Sequence, residues 1–430
     1  MKLGGRIQAA IEVLDDIAAR RRPAQDALRD WGLSHRFAGS KDRAAINNLV
    51  FDALRHRASI AWRMNSDTGR ALALGTAVFQ WRETTDSLNA AFADDRHAPD
   101  AVDENEIKAL TTSTLKEAPE WVQGDVPEWS APHFQSNFED EWVAECAALA
   151  ERPPLDLRVN TLKSNSAKVE KALQRYKASP CTIAENGLRI AARSGAERLP
   201  NVQVEAGYQK GWFEIQDEGS QIASRLIYAR AGEQVLDYCA GGGGKTLAMA
   251  ADMENRGQIH AYDSDRNRLA PIHDRLKRAG VRNAQVLHPG EDAPEGLAGH
   301  MDRVVIDAPC SGSGVWRRRP DAKWRMSEDA IAVRTTEQDQ VLAKGSRFVR
   351  PGGFLVYITC SMFASENEDR VYGFLQENTD FEMVSAGEVW QDVYGFDKPQ
   401  PWSSDLMSIT LTPASTGTDG FYFAVMERAD

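Results

Sequence analysis

Arg303-Val304-Val305-Ile306-Asp307-Ala308-Pro309-Cys310 reads as an apolar β-type run that ends in a carboxylate, a proline and a thiol. The plan recurs at Gly352-Gly353-Phe354-Leu355-Val356-Tyr357-Ile358-Thr359-Cys360-Ser361, again an apolar run closed by a cysteine. Upstream, residues 234–238 form a third run, which opens into Cys239-Ala240-Gly241-Gly242-Gly243-Gly244-Lys245. A parallel α/β sheet presents its ligands at the carboxyl ends of its strands. If the three runs share one such sheet, the glycine loop and both thiols meet in one crevice. A nucleotide-like cofactor facing two thiols predicts covalent catalysis on a group that needs a soft nucleophile.

Working outward, further strand-like runs fall at 258–262, 285–288 and 421–427, with helical patterns between most of them. That alternation from about residue 213 predicts a doubly wound α/β sheet of Rossmann-like topology. Residues 133–212 read as a small α+β module: a helix over 138–150, strands at 155–160 and 187–190, and a helix over 168–176. Residues 1–75 read as helices. Ile7, Ile11, Leu14 and Ile17 recur at helical spacing, and a second helix starts after Ser40 with Asp42 in its first turn. Residues 76–132 are expected to be an acidic helical/linker segment: weaker helices over 76–120, an exposed loop or hinge at 94–106, and at 119–132 a linker that packs against something.

The chain has 430 residues and a net charge of −12, unevenly placed. Residues 1–70 hold 13 Lys/Arg against 8 Asp/Glu, whereas residues 81–146 hold 4 against 16. Local patches rather than the total decide phosphate binding. Five cysteines without C-x-x-C spacing argue against a disulfide framework and a zinc site, so no metal is expected. No apolar run approaches the ~20 residues of a membrane span, and the first residues lack a signal-peptide core. The expectation is a cytoplasmic protein with reduced thiols and no membrane partner.

The glycines of the loop allow close backbone approach to a ligand, and Asp263, after the next strand, stands where a carboxylate can bind ribose hydroxyls. Together they predict a nucleotide or S-adenosyl-L-methionine site; a structural turn is the plainer alternative. A P-loop is excluded, because Ala240 occupies the first glycine position. Cys146 and Cys181 read as small buried hydrophobes. Cys310 and Cys360 differ, because each sits where a strand ends. After Ser311-Gly312-Ser313-Gly314, the segment Trp316-Arg317-Arg318-Arg319-Pro320-Asp321-Ala322-Lys323-Trp324-Arg325 is expected to contact phosphates and stack bases.

The strings C-A-G-G-G-G-K, D-A-P-C-S-G-S-G and T-C-S, followed by Glu366-Asn367-Glu368, resemble those of the RNA cytosine-5 methyltransferases of the Sun/RsmB family. That family writes the first string C-A-A-P-G-G-K, so Gly241 and Gly242 replace an Ala-Pro pair. Arg158-Val159-Asn160-Thr161-Leu162-Lys163 and Gln216-Asp217-Glu218-Gly219-Ser220-Gln221 resemble the family's RRM-like module and the helix entering its catalytic domain. Residues 1–75 resemble a NusB-like helical domain, and residues 76–130 show no resemblance.

The resemblance implies a class I methyltransferase sheet over 213–430, an RRM-like module over 133–212 and a helical NusB-like RNA-binding domain over 1–75. It implies S-adenosyl-L-methionine held by Cys239 to Lys245, Asp263 and Asp307, and RNA, expected to be small-subunit ribosomal RNA, as the partner of a monomer. By the same resemblance Cys360 adds to C6 of cytosine and Cys310 assists release. Asp307 reads the N3/N4 edge and borders the cofactor, while Lys245 faces loop, cofactor or base. The family's Gly-Asp adenine contact is here Gly290-Glu291-Asp292, leaving Glu291 and Asp292 as alternatives. Two other classes compete: a non-catalytic RNA-binding or ribosome-assembly factor, and a nicotinamide dehydrogenase. Neither calls for two thiols after two strands.

Overall fold

A computed structural model describes every residue except Glu291. The chain forms two compact units. One comprises residues 1–153, 192–199 and 316–327; the other comprises residues 154–191, 200–315 and 328–430.

The first unit is helical. The helices Leu3–Arg20 and Ser40–Arg55 turn Ile7, Ile11, Leu14 and Ile17 toward Ile46, Leu49, Val50 and Leu54 in one core. Ser40 is the first helical residue, and the cap falls on Gly39, whose amide donates to the Asp42 carboxylate at 3.2 Å. Within residues 76–132 the weaker helical pattern does form helices, and they pack rather than stand apart. The stretch supplies helices Thr85–Ala93 and Glu104–Thr112, and Leu88, Phe92, Val102 and Leu110 enter the same core. Few apolar residues anchor this stretch, which is why its composition suggests exposure. The acidic run at 94–106 has a local explanation. Asp103 and Glu106 reciprocally cap the second of these helices, and acids favour a helix N-terminus.

Trp316–Ser327 also departs from expectation. It belongs to the helical unit and is largely packed rather than offered to solvent. Trp316 is 1% exposed and meets Phe134 edge-on; the Trp324 indole donates to the Leu54 carbonyl at 2.6 Å. Lys323, 2% exposed, donates to the carbonyls of Arg55 at 2.7 Å and Asp125 at 2.5 Å. An ammonium with a four-carbon stem can satisfy carbonyls that face inward at a helix end. The tryptophans and cations that suggested RNA contact are therefore largely committed to packing.

The second unit holds two sheets. In the small one, β1 (Leu155–Val159), β2 (Ser179–Pro180), β3 (Gly187–Ile190) and β4 (Phe213–Ile215) lie in the order β2-β3-β1-β4, all antiparallel. The helix expected over 138–150 precedes this module and is broken: it runs Ala131–Phe138 and Trp142–Ala150. The large sheet contains β5 (Gln234–Asp237), β6 (Gln258–Ala261), β7 (Ala284–Val286), β8 (Met301–Asp307), β9 (Val349–Thr359), β10 (Phe381–Val384), β11 (Ile409–Leu411) and β12 (Phe421–Arg428). Its order is β10-β12-β9-β8-β5-β6-β7, with β11 against β12; β5 to β9 are mutually parallel and β12 is antiparallel.

Central parallel strands are covered on both faces and so read as continuous apolar runs. Side chains alternate between two cores. Val235, Val305, Val356 and Ile358 enter one; Leu236, Val304, Ile306, Leu355 and Tyr357 enter the other. Each such side chain contributes roughly 1.5–3 kcal/mol on burial. The register pairs Asp307 with Ile358, so β8 and β9 end in step. That alignment is what sets two cysteine-bearing loops side by side.

The two resembling strings tie the small module to the catalytic sheet. Asp156 and Glu218 both bind the Arg189 guanidinium, at 2.7 Å and 3.0 Å. Asn160 donates to the carbonyls of Gly211 at 2.9 Å and Ala279 at 2.8 Å. Asp217 caps the helix Glu218–Leu226 by accepting from the Gly219 amide.

Candidate active site

The loop after β5 is shaped by backbone conformation. Gly241 and Gly243 have φ of +49° and +81°, the region where glycine alone is unstrained. A Cβ on Gly243 would strike Ile272 at 2.5 Å, so this glycine also serves packing. A Cβ on Gly241 would come within 3.8 Å of the Arg268 and Asp263 side chains, and one on Gly244 within 3.9 Å of Gln216, so neither position is crowded. The Gly241 amide donates to Asp263 at 2.9 Å, and the Ala240 amide to the Tyr262 carbonyl at 2.8 Å. The Ala-Pro replacement does not leave the loop unrestrained. The Arg275 guanidinium donates to the Gly242 carbonyl at 2.6 Å and is anchored by Glu214, which also holds Arg278.

Asp263, two residues past β6, is 2% exposed, with Arg268 at 3.7 Å. Asp237, fully buried at the end of β5, accepts from the Thr246 hydroxyl at 2.6 Å. Burial pushes its carboxyl up to about 7. Burial likewise raises the Cys239 thiol, which suits a wall of the site rather than a nucleophile. Asp292 accepts from the Tyr238 hydroxyl at 2.7 Å and its neighbour's amide at 2.8 Å; Glu291 lies outside the described residues.

Lys245 bridges the loop and β8. Its ammonium, 5% exposed, meets the Asp307 carboxylate at 2.9 Å and donates to the Ser220 hydroxyl at 3.3 Å. Asp307 is half-buried, and three residues on is Cys310. The sulfurs of Cys310 and Cys360 are 3.3 Å apart. The hydrogen bond with Cys360 pushes the Cys310 thiol well up, reinforced by burial and by the charge of Glu366. Cys310 is thus held as a neutral thiol. Cys146 is buried, and burial raises both it and Cys181, in keeping with the reading of small hydrophobes.

One group that the sequence reading quoted without assigning a role organises both thiol loops. The buried Glu366 carboxylate accepts from the Ser311 amide at 2.8 Å, from the hydroxyls of Ser311 and Ser361 at 2.5 Å each, and from Gln338 at 3.1 Å. Next to it, Asn367 donates to the Ser361 carbonyl at 3.1 Å and accepts from the Thr359 hydroxyl at 2.6 Å. The serines that follow the two cysteines were the available signal. Buried carboxylates need partners, and hydroxyls beside strand ends provide them. Among the described residues no cluster of acids, histidines and cysteines could hold a metal ion.

The fold and the crevice define a Rossmann-like methyltransferase. The family described as "16S rRNA methyltransferase RsmB/F" matches residues 225–427, and the ferredoxin-like domain of RsmF/B-like methyltransferases matches residues 126–196. A "Probable ribosomal RNA small subunit methyltransferase B" from Synechocystis sp. (strain ATCC 27184 / PCC 6803 / Kazusa) is 30% identical over 318 residues, covering 71% of this chain and 68% of its own. The crystal structure of PH0851 covers 100% of both chains at a TM-score of 0.72 and 24% identity. NSun6 from Pyrococcus horikoshii, solved with SFG, covers 71% of this chain and 98% of its own at a TM-score of 0.61 and 19% identity. This chain belongs to the RsmB/F family of RNA methyltransferases.

Proposed function

We propose that the chain methylates C5 of a cytosine in small-subunit ribosomal RNA in the cytoplasm, using S-adenosyl-L-methionine and a covalent cysteine adduct. The juxtaposition of Cys310 and Cys360 beside the Lys245–Asp307 pair carries this reading. The residues fit the cofactor: the backbone at Gly241 and Gly244 is not crowded by side chains, and Asp263, two residues past β6, stands where a carboxylate suits ribose hydroxyls. Bound there, S-adenosyl-L-methionine supplies an electrophilic methyl group.

Cytosine C5 is a poor nucleophile until a thiolate adds at C6. The Cys360 sulfur forms a bond to C6, and the ring π electrons shift to make C5 an enamine carbon. C5 would then be nucleophilic enough to accept the methyl group, and its proton would pass to water as the C5–C6 double bond re-forms. The C6–sulfur bond breaks, the ring regains aromaticity, and the thiolate leaves. Cys310, with its sulfur 3.3 Å from that of Cys360, stands where a thiol can hydrogen-bond the departing sulfur. Asp307 faces the N3/N4 edge, and Lys245 fixes its carboxylate. The test is transfer of labelled methyl to deproteinised small-subunit ribosomal RNA, with the product base identified by bisulfite sequencing. A new 5-methylcytosine is expected. Methylation confined to another base or another atom contradicts the assignment.

A further inference from the structure

A groove in the helical unit carries the charge of a nucleic-acid contact. It encloses ≈ 490 Å³ between the helix Ser40–Arg55 and the segment 192–199. Arg43, Arg55, Arg152, Arg193 and Arg198 line it, against Glu197 as the one carboxylate of the lining. Arg55 and Arg152 are committed to the buried Asp52, at 2.9 Å and 2.7 Å. Arg193 meets Glu197 at 3.3 Å. Arg43 uses only its Nε, on the Ala38 carbonyl at 3.0 Å, and Arg198 is exposed.

The segment bearing Arg193 and Arg198 is pinned rather than loose. Asn48 donates to the carbonyls of Gly195 at 3.1 Å and Glu197 at 2.8 Å. Arg152 donates to those of Arg193 at 2.6 Å and Gly195 at 2.8 Å. Four side-chain bonds thus fix the backbone that carries the cations, which lowers the ordering entropy of binding. The partly exposed Phe51 ring adds a surface on which a base can stack. The setting sharpens the point. Residues 81–146, the acidic stretch of 16 carboxylates, lie in the same unit, and the whole chain carries −12. A polyanion is repelled by the acidic stretch and attracted where the sign reverses, so the groove sets orientation as well as affinity.

We infer that this groove binds the RNA sugar-phosphate backbone, with Arg43 and Arg198 as the phosphate contacts. The inference rests on the reading of the chain as an RNA methyltransferase. Guanidinium forks match phosphate oxygens, and each neutralised phosphate releases counterions, so the contact has a salt signature.

The test uses the full chain and a fluorescein-labelled transcript of small-subunit ribosomal RNA, with anisotropy read across a potassium chloride series. Arg198→Glu, a change at an exposed side chain, is expected to weaken binding about tenfold; with Arg43→Gln added, about thirtyfold or more. In the double variant the slope of log affinity against log salt falls by about 1.4, at ~0.7 per single-strand phosphate. S-adenosyl-L-methionine affinity and melting temperature stay as in the parent. Parental affinity and slope in the double variant overturn the inference. So does unchanged RNA binding with lost binding to polyglutamate, which assigns the groove to an acidic protein. A parent chain that binds RNA through the groove yet transfers no methyl overturns the methyltransferase reading and leaves the groove standing.

Discussion

The Glu366 carboxylate reaches across 55 residues of chain to take both the amide and the hydroxyl of Ser311, the residue after Cys310. It also accepts from the hydroxyl of Ser361, the residue after Cys360, whose amide donates instead to the Thr359 hydroxyl at 3.1 Å. Neither thiol loop is positioned by its own strand alone. Removing the carboxylate takes three hydrogen bonds from the two loops, and small misplacements of reacting groups carry large rate penalties. Glu366→Ala is expected to lower the methyl-transfer rate about 100-fold while S-adenosyl-L-methionine affinity changes less than about threefold. Single-turnover kinetics beside calorimetric titration separates the two. An equal loss in both would mean that the carboxylate supports the whole domain.

The glycine loop gives a second expectation. Arg275 holds the Gly242 carbonyl, where the resembling family has a proline ring to limit the backbone. Arg275→Ala should weaken S-adenosyl-L-methionine binding about tenfold, the worth of one charge-assisted hydrogen bond at ~1.4 kcal/mol. Arg278→Ala removes a cation from the same Glu214 without touching the loop, and should stay within about twofold of the parent. Calorimetry reads both. Equal losses would place the effect in Glu214 rather than in the loop.

Lys323 tests the packing of the segment that looked like an RNA-binding loop. Lys323→Met leaves the buried carbonyls of Arg55 and Asp125 without donors, at a cost of about 2–4 kcal/mol at neutral pH. Burial pushes the Lys323 ammonium down to about 8 from 10.5. Between those values the unfolded chain binds more protons, so its contribution to stability grows as pH rises from about 8 and is lost as pH falls through it. The stability gap between parent and variant should therefore widen from about pH 8 to about pH 10, measured by denaturant unfolding. A gap that narrows over that range contradicts the buried ammonium.

The legibility of this chain follows its physics. Strands β5, β8 and β9 announced themselves, because central parallel strands are apolar throughout. The expectation that thiols and glycines meet depended on the three runs sharing one parallel sheet, and β5, β8 and β9 are parallel neighbours. β10 and β11 were missed: Phe381-Glu382-Met383-Val384 is short and half polar, and Ile409-Thr410-Leu411 is only three residues. The strand at 285–288 was displaced toward its C-terminus, since β7 at the sheet edge is partly polar. The helices within 76–120 read only weakly because their four anchors, Leu88, Phe92, Val102 and Leu110, are diluted among acids. Trp316 and Lys323 misled more deeply. A buried lysine donating to carbonyls has the same letter as one donating to phosphate, and only the fold shows which acceptors are near. Arg275 could not be found at all from sequence, because its partner is a backbone carbonyl 33 residues away.

The division of labour between the two sulfurs is the central claim, and adduct trapping measures it most directly. Cys310→Ala, incubated with S-adenosyl-L-methionine and small-subunit ribosomal RNA, should form the C6–sulfur bond and fail to release. A protein–RNA species that survives denaturation and vanishes with ribonuclease should accumulate. Cys360→Ala and the double variant should show none. An adduct in Cys360→Ala but not in Cys310→Ala would contradict the account and make the sulfur of the Pro309-Cys310 pair the nucleophile.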